Sequence, residues 1–197
     1  EESPSLEKNV DEMKIPLTDY GLSKLVGERL SKAFYKQYGL QYTIWRPFNI
    51  ITPYEKAEKE PGFSHVFADF LDKILVKKEN PLSIIGSGEQ IRCFTWIEDV
   101  SEAIANFSLK EESNQEIFNI GNPSPIKMID LAKKIHEKGI AKGIISKSKL
   151  TFKHLEAPED DVKIRIPAID KIQKELEWNP KIGLDEALDI CINQIVQ

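Results

Sequence analysis

Between Thr18 and Pro47 the hydrophobic pattern changes period once, from helical to extended, across a single glycine. Leu22, Leu25, Val26, Leu30, Ala33 and Phe34 recur at the three- and four-residue spacing of one helix, and Gly39 stands where a helix end is expected. The spacing predicts an amphipathic helix over 18–38. Gln41 to Arg46 is then rich in β-branched and aromatic residues and stops at Pro47, as a buried strand running into a loop does. A helix that passes directly into a buried strand is the repeat unit of an α/β sheet.

The alternation continues downstream. After a charged loop from Tyr54 to Pro61, Ser64 is placed to cap a helix carrying Val66, Phe67, Phe70, Leu71, Ile74 and Leu75 and ending near Asn80. Strands are expected at Leu82–Ile85 and Ile91–Trp96, on either side of a Gly86-Ser87-Gly88 turn that a hairpin would satisfy. Asp99 reads as the opening of a helix to about Leu109, Glu116–Ile120 as a strand, and Pro125 as the first turn of a helix from Ile126 to about Glu137. A strand near Leu150–Leu155 and helices over Ile169–Leu176 and Gly183–Val196 complete the chain. The first dozen residues, acidic and without period, read as a loop or ragged end, with order beginning near Leu17. The fold class is α/β, with few strands in any one regular series, so the chain looks like part of a larger sheet.

With 41% hydrophobic and 30% charged residues among 197, the composition is globular and excludes disorder, collagen and coiled coil. A net charge of −5 sets the overall field against nucleic acid and anionic membrane, so neither is expected as a partner. No apolar run approaches a membrane span and the stretch EESPSLEKN has no apolar signal core, so a soluble protein is expected. Cys93 and Cys191 stand far apart in unrelated contexts, so neither a disulfide framework nor a Cys-based metal site is expected, and a reducing cytoplasm is the expected location. Only four basic residues are arginine, at positions 29, 46, 92 and 165. In a chain that otherwise uses lysine, arginines mark places where a planar fork is needed for phosphate or carboxylate, or else simply reflect codon usage.

Three constellations could carry chemistry. Tyr20 and Lys24 sit four apart on one face of the first helix, at its N-terminal turn. An ammonium near a phenol favours phenolate, bringing a pKa normally about 10 toward a range useful for proton transfer. Taken alone, such a pair is far more often a surface tyrosine and a solvated lysine, so its weight comes from its neighbours. Arg46-Pro47-Phe48-Asn49 follows at the end of the strand, where open α/β sheets bind ligands, and Asn49 offers donors and an acceptor to a hydroxylated ligand or to its own backbone. In the third, extended alternation puts Gln90, Arg92 and Phe94 on one face and Ile91, Cys93 and Thr95 on the other. A polar pair on one face needs a partner, for which a diphosphate is suitable, and Arg165 could supply a second fork.

YGLSK, RPFN followed by Pro53, GSGEQIRCFTWIEDV, FNIGN and IDKIQKELEWNPKIGLDEAL occur in that order. Over nearly its whole length the chain therefore resembles the extended short-chain dehydrogenase/reductase family of nucleotide-sugar epimerases, dehydratases and decarboxylases. The resemblance implies the C-terminal part of a Rossmann-like NAD-binding domain plus a small mixed α/β substrate-binding lobe. Residues 1–50 would belong to the first, 51–197 mainly to the second, with 98–121 returning to the sheet. It implies Tyr20 as the acid/base that takes a sugar hydroxyl proton as hydride moves to NAD, with Lys24 holding the nicotinamide ribose and Phe48 beside the cofactor. Asn49 would touch the sugar diphosphate, Gln90 and Arg92 the nucleotide and its phosphate, and Arg165 the diphosphate from the opposite side, with His65 and Val66 along the base. The implied partners are a UDP- or dTDP-sugar and a second copy of the chain, docked through the helix over 18–38.

The chain departs from the family in having Ile51-Thr52-Pro53 where Tyr-Gly-Pro is usual and Cys93 where an acidic residue is common. A β-branched Thr52 disfavours the positive φ that glycine permits. The glycine-rich GxxGxxG turn of the NAD pyrophosphate site is not found, and only nineteen residues precede Tyr20, too few to hold the Ser/Thr that normally lies about two dozen residues earlier. The expectation is a chain that begins in mid-domain, belongs to a 4-epimerase-like enzyme, binds NAD weakly and does not turn over alone. Two readings from other classes stand beside it. One is a non-catalytic nucleotide-sugar module using Asn49, Arg92 and Arg165 but not Tyr20 or Lys24. The other is a structural partner that docks through its apolar helix.

Overall fold

A computed structural model describes residues 3–12, 18–57, 65–157 and 162–195; Leu17, Ser64 and the second half, 58–61, of the expected loop from Tyr54 to Pro61 lie outside them. A single helical turn, α1 (Asn9–Glu12), precedes α2 (Asp19–Tyr38). Thr18 caps α2 by accepting the Gly21 N–H at 3.1 Å, and Gly39 closes it at φ +68°, a conformation that costs a residue without Cβ little. None of the twenty residues of α2 is buried.

β1 (Thr43–Pro47) runs parallel to β6 (Glu116–Ile120), in register from Thr43 opposite Glu116 to Pro47 opposite Ile120. β2 (Ile50–Ile51) pairs in parallel with β5 (Thr95–Trp96), and β3 (Leu82–Ile85) with β8 (Phe152–Leu155). β4 (Ile91–Cys93) lies between antiparallel β7 (Pro125–Lys127) and parallel β9 (Ile164–Arg165). The helices are α3 (Val66–Leu71), extended by a π-helical turn over Asp72–Val76, then α4 (Ile97–Phe107), α5 (Met128–Ala141), α6 (Asp170–Leu176) and α7 (Leu184–Ile195). This is a mixed α/β fold in which parallel pairing predominates.

One apolar cluster joins α3 and its π turn to β3, α5 and α7, through residues such as Phe67, Leu75, Leu82, Leu131, Ile135 and Leu188. A second gathers α4, β6 and α6 around Val100, Phe118, Ile120, Ile172 and Trp178. Asp99 lies between them: its Oδ2 accepts the Lys181 and Ile182 N–H groups, both at 3.0 Å, in the segment that joins α6 to α7.

Several expectations are corrected. β3 and β4 flank Gly86-Ser87-Gly88 but do not pair with each other, so the turn is not a hairpin. Both glycines adopt positive φ, and a Cβ on Gly88 would meet Ile84 Cδ1 at 2.7 Å. The run Ile91–Trp96 is two strands, because Phe94 leaves the ladder to put its ring 5.7 Å from that of Phe67 in the core. The expected face of Gln90, Arg92 and Phe94 is therefore not continuous. Pro125 lies in β7, at the edge of its sheet where a missing N–H costs no ladder bond, and the helix begins at Met128 instead. Asp99 is a buried residue in the first turn of α4, which opens at Ile97. The described part of the acidic opening segment, residues 3–12, is tied down: Ser5 donates to Ile166 O at 2.8 Å and accepts from the Ala168 N–H at 3.0 Å, an isolated parallel bridge beside Pro167.

Candidate active site

The loop after β1 is held by its own backbone. Phe48 donates its N–H to Ile120 O at 3.0 Å, and Asn49 accepts the Thr95 N–H at 3.0 Å while its side-chain amide donates to Cys93 O at 2.7 Å. Asn49 takes φ +37°, an excursion that asparagine tolerates better than most residues; the strained position is thus Asn49 and not Thr52. Thr95, fully buried, donates its hydroxyl to Phe48 O at 2.7 Å and accepts the Asn122 N–H at 3.0 Å. Gly121 fits between: a Cβ there would lie 3.0 Å from Pro167 Cγ and 3.1 Å from Phe48 Cβ.

Against this loop opens a cavity of about 860 Å³. Among the predicted site residues Tyr20, Phe48, Asn49, His65 and Arg165 line it. Lys24 does not, but its ammonium lies 5.2 Å from the centroid of the Tyr20 ring, so the phenol and ammonium are brought together on α2. His65 is exposed at the N-cap of α3, with Nδ1 2.7 Å from Glu55 Oε1. Val66, Gln90 and Arg92 are not brought to the cavity. Val66 packs against the first apolar cluster, Gln90 Nε2 turns back to Ile85 O at 3.1 Å, and Arg92 Nη1 donates to Ile91 O at 2.9 Å. Arg92 nevertheless stands directly opposite Arg165 in the β4–β9 register.

Sequence reasoning missed the wall contributed by the opening segment. Ser5, Leu6, Asn9 and Val10 line the cavity, as does buried Asn119, whose N–H donates to Glu7 Oε1 at 3.0 Å and whose side-chain amide donates to Ser5 O at 2.9 Å. Asn119 stands within the FNIGN motif, whereas nothing in the polar run before α1 marks it as a wall. Arg46, also on the cavity, realises the fork expected of a scarce arginine, but with a carboxylate. Its Nε and Nη2 donate to the two oxygens of Glu28 at 2.7 and 2.6 Å, and Nη1 donates to Glu7 O at 2.6 Å. Among the described residues no group of three or more His, Cys, Asp or Glu side chains could hold a metal, and no helix is long and apolar enough to cross a membrane.

The model of the NAD dependent epimerase/dehydratase family matches residues 1–121. Among curated relatives, UDP-D-apiose/UDP-D-xylose synthase 1 of Arabidopsis thaliana is 31% identical over 185 residues, covering 86% of this chain and 46% of its own. Among solved structures, the UDP-glucuronic acid 4-epimerase of Bacillus cereus in complex with UDP-glucuronic acid and NAD aligns with a TM-score of 0.78 at 26% identity, over 100% of this chain and 58% of that one. The UDP-glucose 4-epimerase of Thermotoga maritima with UDP-glucose aligns with a TM-score of 0.75 at 26% identity, over 95% and 56%. The chain spans about half the length of the curated relatives it matches. Its arrangement of parallel strand pairs and helices corresponds to a C-terminal portion of these Rossmann-like enzymes. The chain belongs to the NAD-dependent epimerase/dehydratase family.

Proposed function

We propose that these residues form the nucleotide-sugar side of an NAD-dependent, 4-epimerase-like enzyme acting on a UDP-sugar. The observation that carries the reading is the meeting of Tyr20, Asn49 and Arg165, from three separate parts of the fold, on one cavity. In it the Tyr20 phenol takes the proton from a sugar hydroxyl and returns it, and Lys24 supplies the positive charge beside that phenol. Asn49 Oδ1 accepts from the ligand, since its amide nitrogen is engaged with Cys93 O. Arg165, on the cavity, takes the diphosphate.

The donor set fits the nicotinamide-ribose end of NAD: an exposed ammonium and a phenol at the open N-terminal turn of α2, with Phe48 nearby on the cavity. Bound NAD would supply the hydride acceptor and donor for a transient oxidation at a sugar carbon. The Gly86–Gly88 turn does not fit the pyrophosphate, because it leads into β4 and not into a helix whose N–H groups face an anion. We therefore expect these 197 residues to bind NAD weakly and not to turn over alone. We assign residues 1–50 and 98–121 to the NAD-binding domain and the rest to the substrate lobe, and expect a soluble cytoplasmic homodimer.

Calorimetry with UDP and UDP-glucose tests the reading. The chain binds both, and Arg165→Ala weakens each by at least about tenfold, the loss expected when a charge-assisted hydrogen bond of about 1.5–3 kcal/mol is removed. Tyr20→Phe leaves UDP affinity unchanged. Equal affinities for wild type and Arg165→Ala refute the proposal.

A further inference from the structure

Tyr20, Lys24 and Glu28 follow one another at four-residue steps along α2, so each can reach the next. Lys24 has two candidate partners: the ring one turn before it and the carboxylate one turn after it. An ion pair with Glu28 would be the ordinary outcome on an exposed helix. The structure shows the other. Lys24 Nζ lies over the Tyr20 ring, and among the described residues it makes no ion pair. Glu28 is turned away and fully used: each carboxylate oxygen accepts one N–H of the Arg46 fork. Both side chains are largely withdrawn from water, with 13% of Arg46 and 16% of Glu28 exposed. A bidentate, partly desolvated pair of this geometry holds its carboxylate far more firmly than one solvated lysine can.

We propose that Arg46 is a positioning residue that sequesters Glu28 and so reserves Lys24 for Tyr20. This rests on the reading of Tyr20 and Lys24 as the proton-transfer pair. Arg46 is suited to the task by its place at the end of β1, between the helix that bears the pair and the loop that bears Asn49. Its third contact, from Nη1 to Glu7 O, ties the same guanidinium to the segment that walls the cavity. One side chain thus connects three walls of the site and silences the only carboxylate one turn beyond Lys24.

A structural role and a sequestering role make opposite predictions for a double substitution. If the ion pair merely holds α2 in place, Arg46→Gln and Arg46→Gln/Glu28→Gln are equally harmful. If Arg46 sequesters Glu28, the single substitution frees a competing carboxylate and the double one removes it. The readout is NMR of the Lys24 ε-methylene in the 197-residue chain, whose signal the Tyr20 ring current displaces upfield. Expected is loss of that displacement in Arg46→Gln, its return in the double variant, and its retention in Glu28→Gln alone. A displacement that persists in Arg46→Gln overturns the proposal, as does one lost in both Arg46→Gln and the double variant. If Arg46→Gln does not fold, Arg46→Lys serves instead: one ammonium cannot occupy both Glu28 oxygens, so a partial loss is expected, reversed by Glu28→Gln. An unchanged signal there is again a refutation. The measurement uses neither nucleotide nor NAD, so it succeeds or fails independently of the UDP titration that tests the catalytic reading.

Discussion

Replacing Thr95 by Val changes one hydroxyl for a methyl group at a fully buried position, with almost no change of shape. In the native protein that hydroxyl is both a donor, to Phe48 O at 2.7 Å, and an acceptor, from the Asn122 N–H at 3.0 Å. Valine leaves one backbone acceptor and one backbone donor unpaired where Gly121 packs against Phe48 and water has little room. Each such group costs about 1–3 kcal/mol, so Thr95→Val is expected to destabilise the protein by about 2–6 kcal/mol. Thr95→Ser keeps both bonds and loses one methyl group, a cost of about 1 kcal/mol. Urea unfolding followed through Trp45, Trp96 and Trp178 measures both variants, and amide exchange at Asn122 reports the site directly. A Thr95→Val variant within about 0.5 kcal/mol of wild type, or a serine variant less stable than the valine one, refutes the cost assigned to the unpaired groups.

Asp185 and Asp189 on α7 face Lys134 and Lys138 on α5 and Lys142 at its C-cap, with the closest contacts at 2.8 and 2.9 Å. Hydrogen bonds from Lys134 to Asp185 and from Lys138 to Asp189 hold both carboxyls below their ordinary value of 3.8. Because the folded pKa is depressed, the stabilisation is present above the unfolded value and disappears as pH falls through the folded ones. Both side chains are largely solvated, so each pair is worth at most about 1 kcal/mol. The thermal midpoint of Asp185→Asn/Asp189→Asn is expected to fall below wild type at pH 7 in low salt and to converge with it in strong acid; a gap that persists there refutes the linkage. Cys93 and Cys191 are buried, and burial pushes their thiols up to about 12 and about 11. Both are expected to resist a thiol reagent at pH 8 in the native protein and to react at once in urea; rapid labelling of the native protein contradicts this.

Elements whose signals lie within their own residues are legible in the amino-acid sequence. α2 falls at Asp19–Tyr38, with Thr18 and Gly39 at its ends, against an expectation of 18–38. β3 and β6 have the expected bounds, since a short apolar run between turn residues can do little but extend. Tyr20, Asn49 and Arg165, singled out from their own residues and spacing, line the cavity, while Phe48 and His65 on the same cavity are implied only by the family resemblance. Pro125 misleads because a proline suits the first turn of a helix and an edge strand equally, and only β4 running alongside decides which. The break at Phe94 is hidden for the same reason: strand alternation does not record that two halves of a run serve different sheets.

Local pattern was enough to place α2, β3 and β6 and the side chains at their ends, because dihedral preference and periodicity act over a few residues. Tertiary structure alone decided which of them meet. Arg46 faces Glu28 across eighteen positions, Arg165 faces Arg92 across seventy-three, and Ser5 reaches Ala168 from the far end of the chain. Those contacts exist only once parallel strands have closed over long intervals, and no local pattern carries that information.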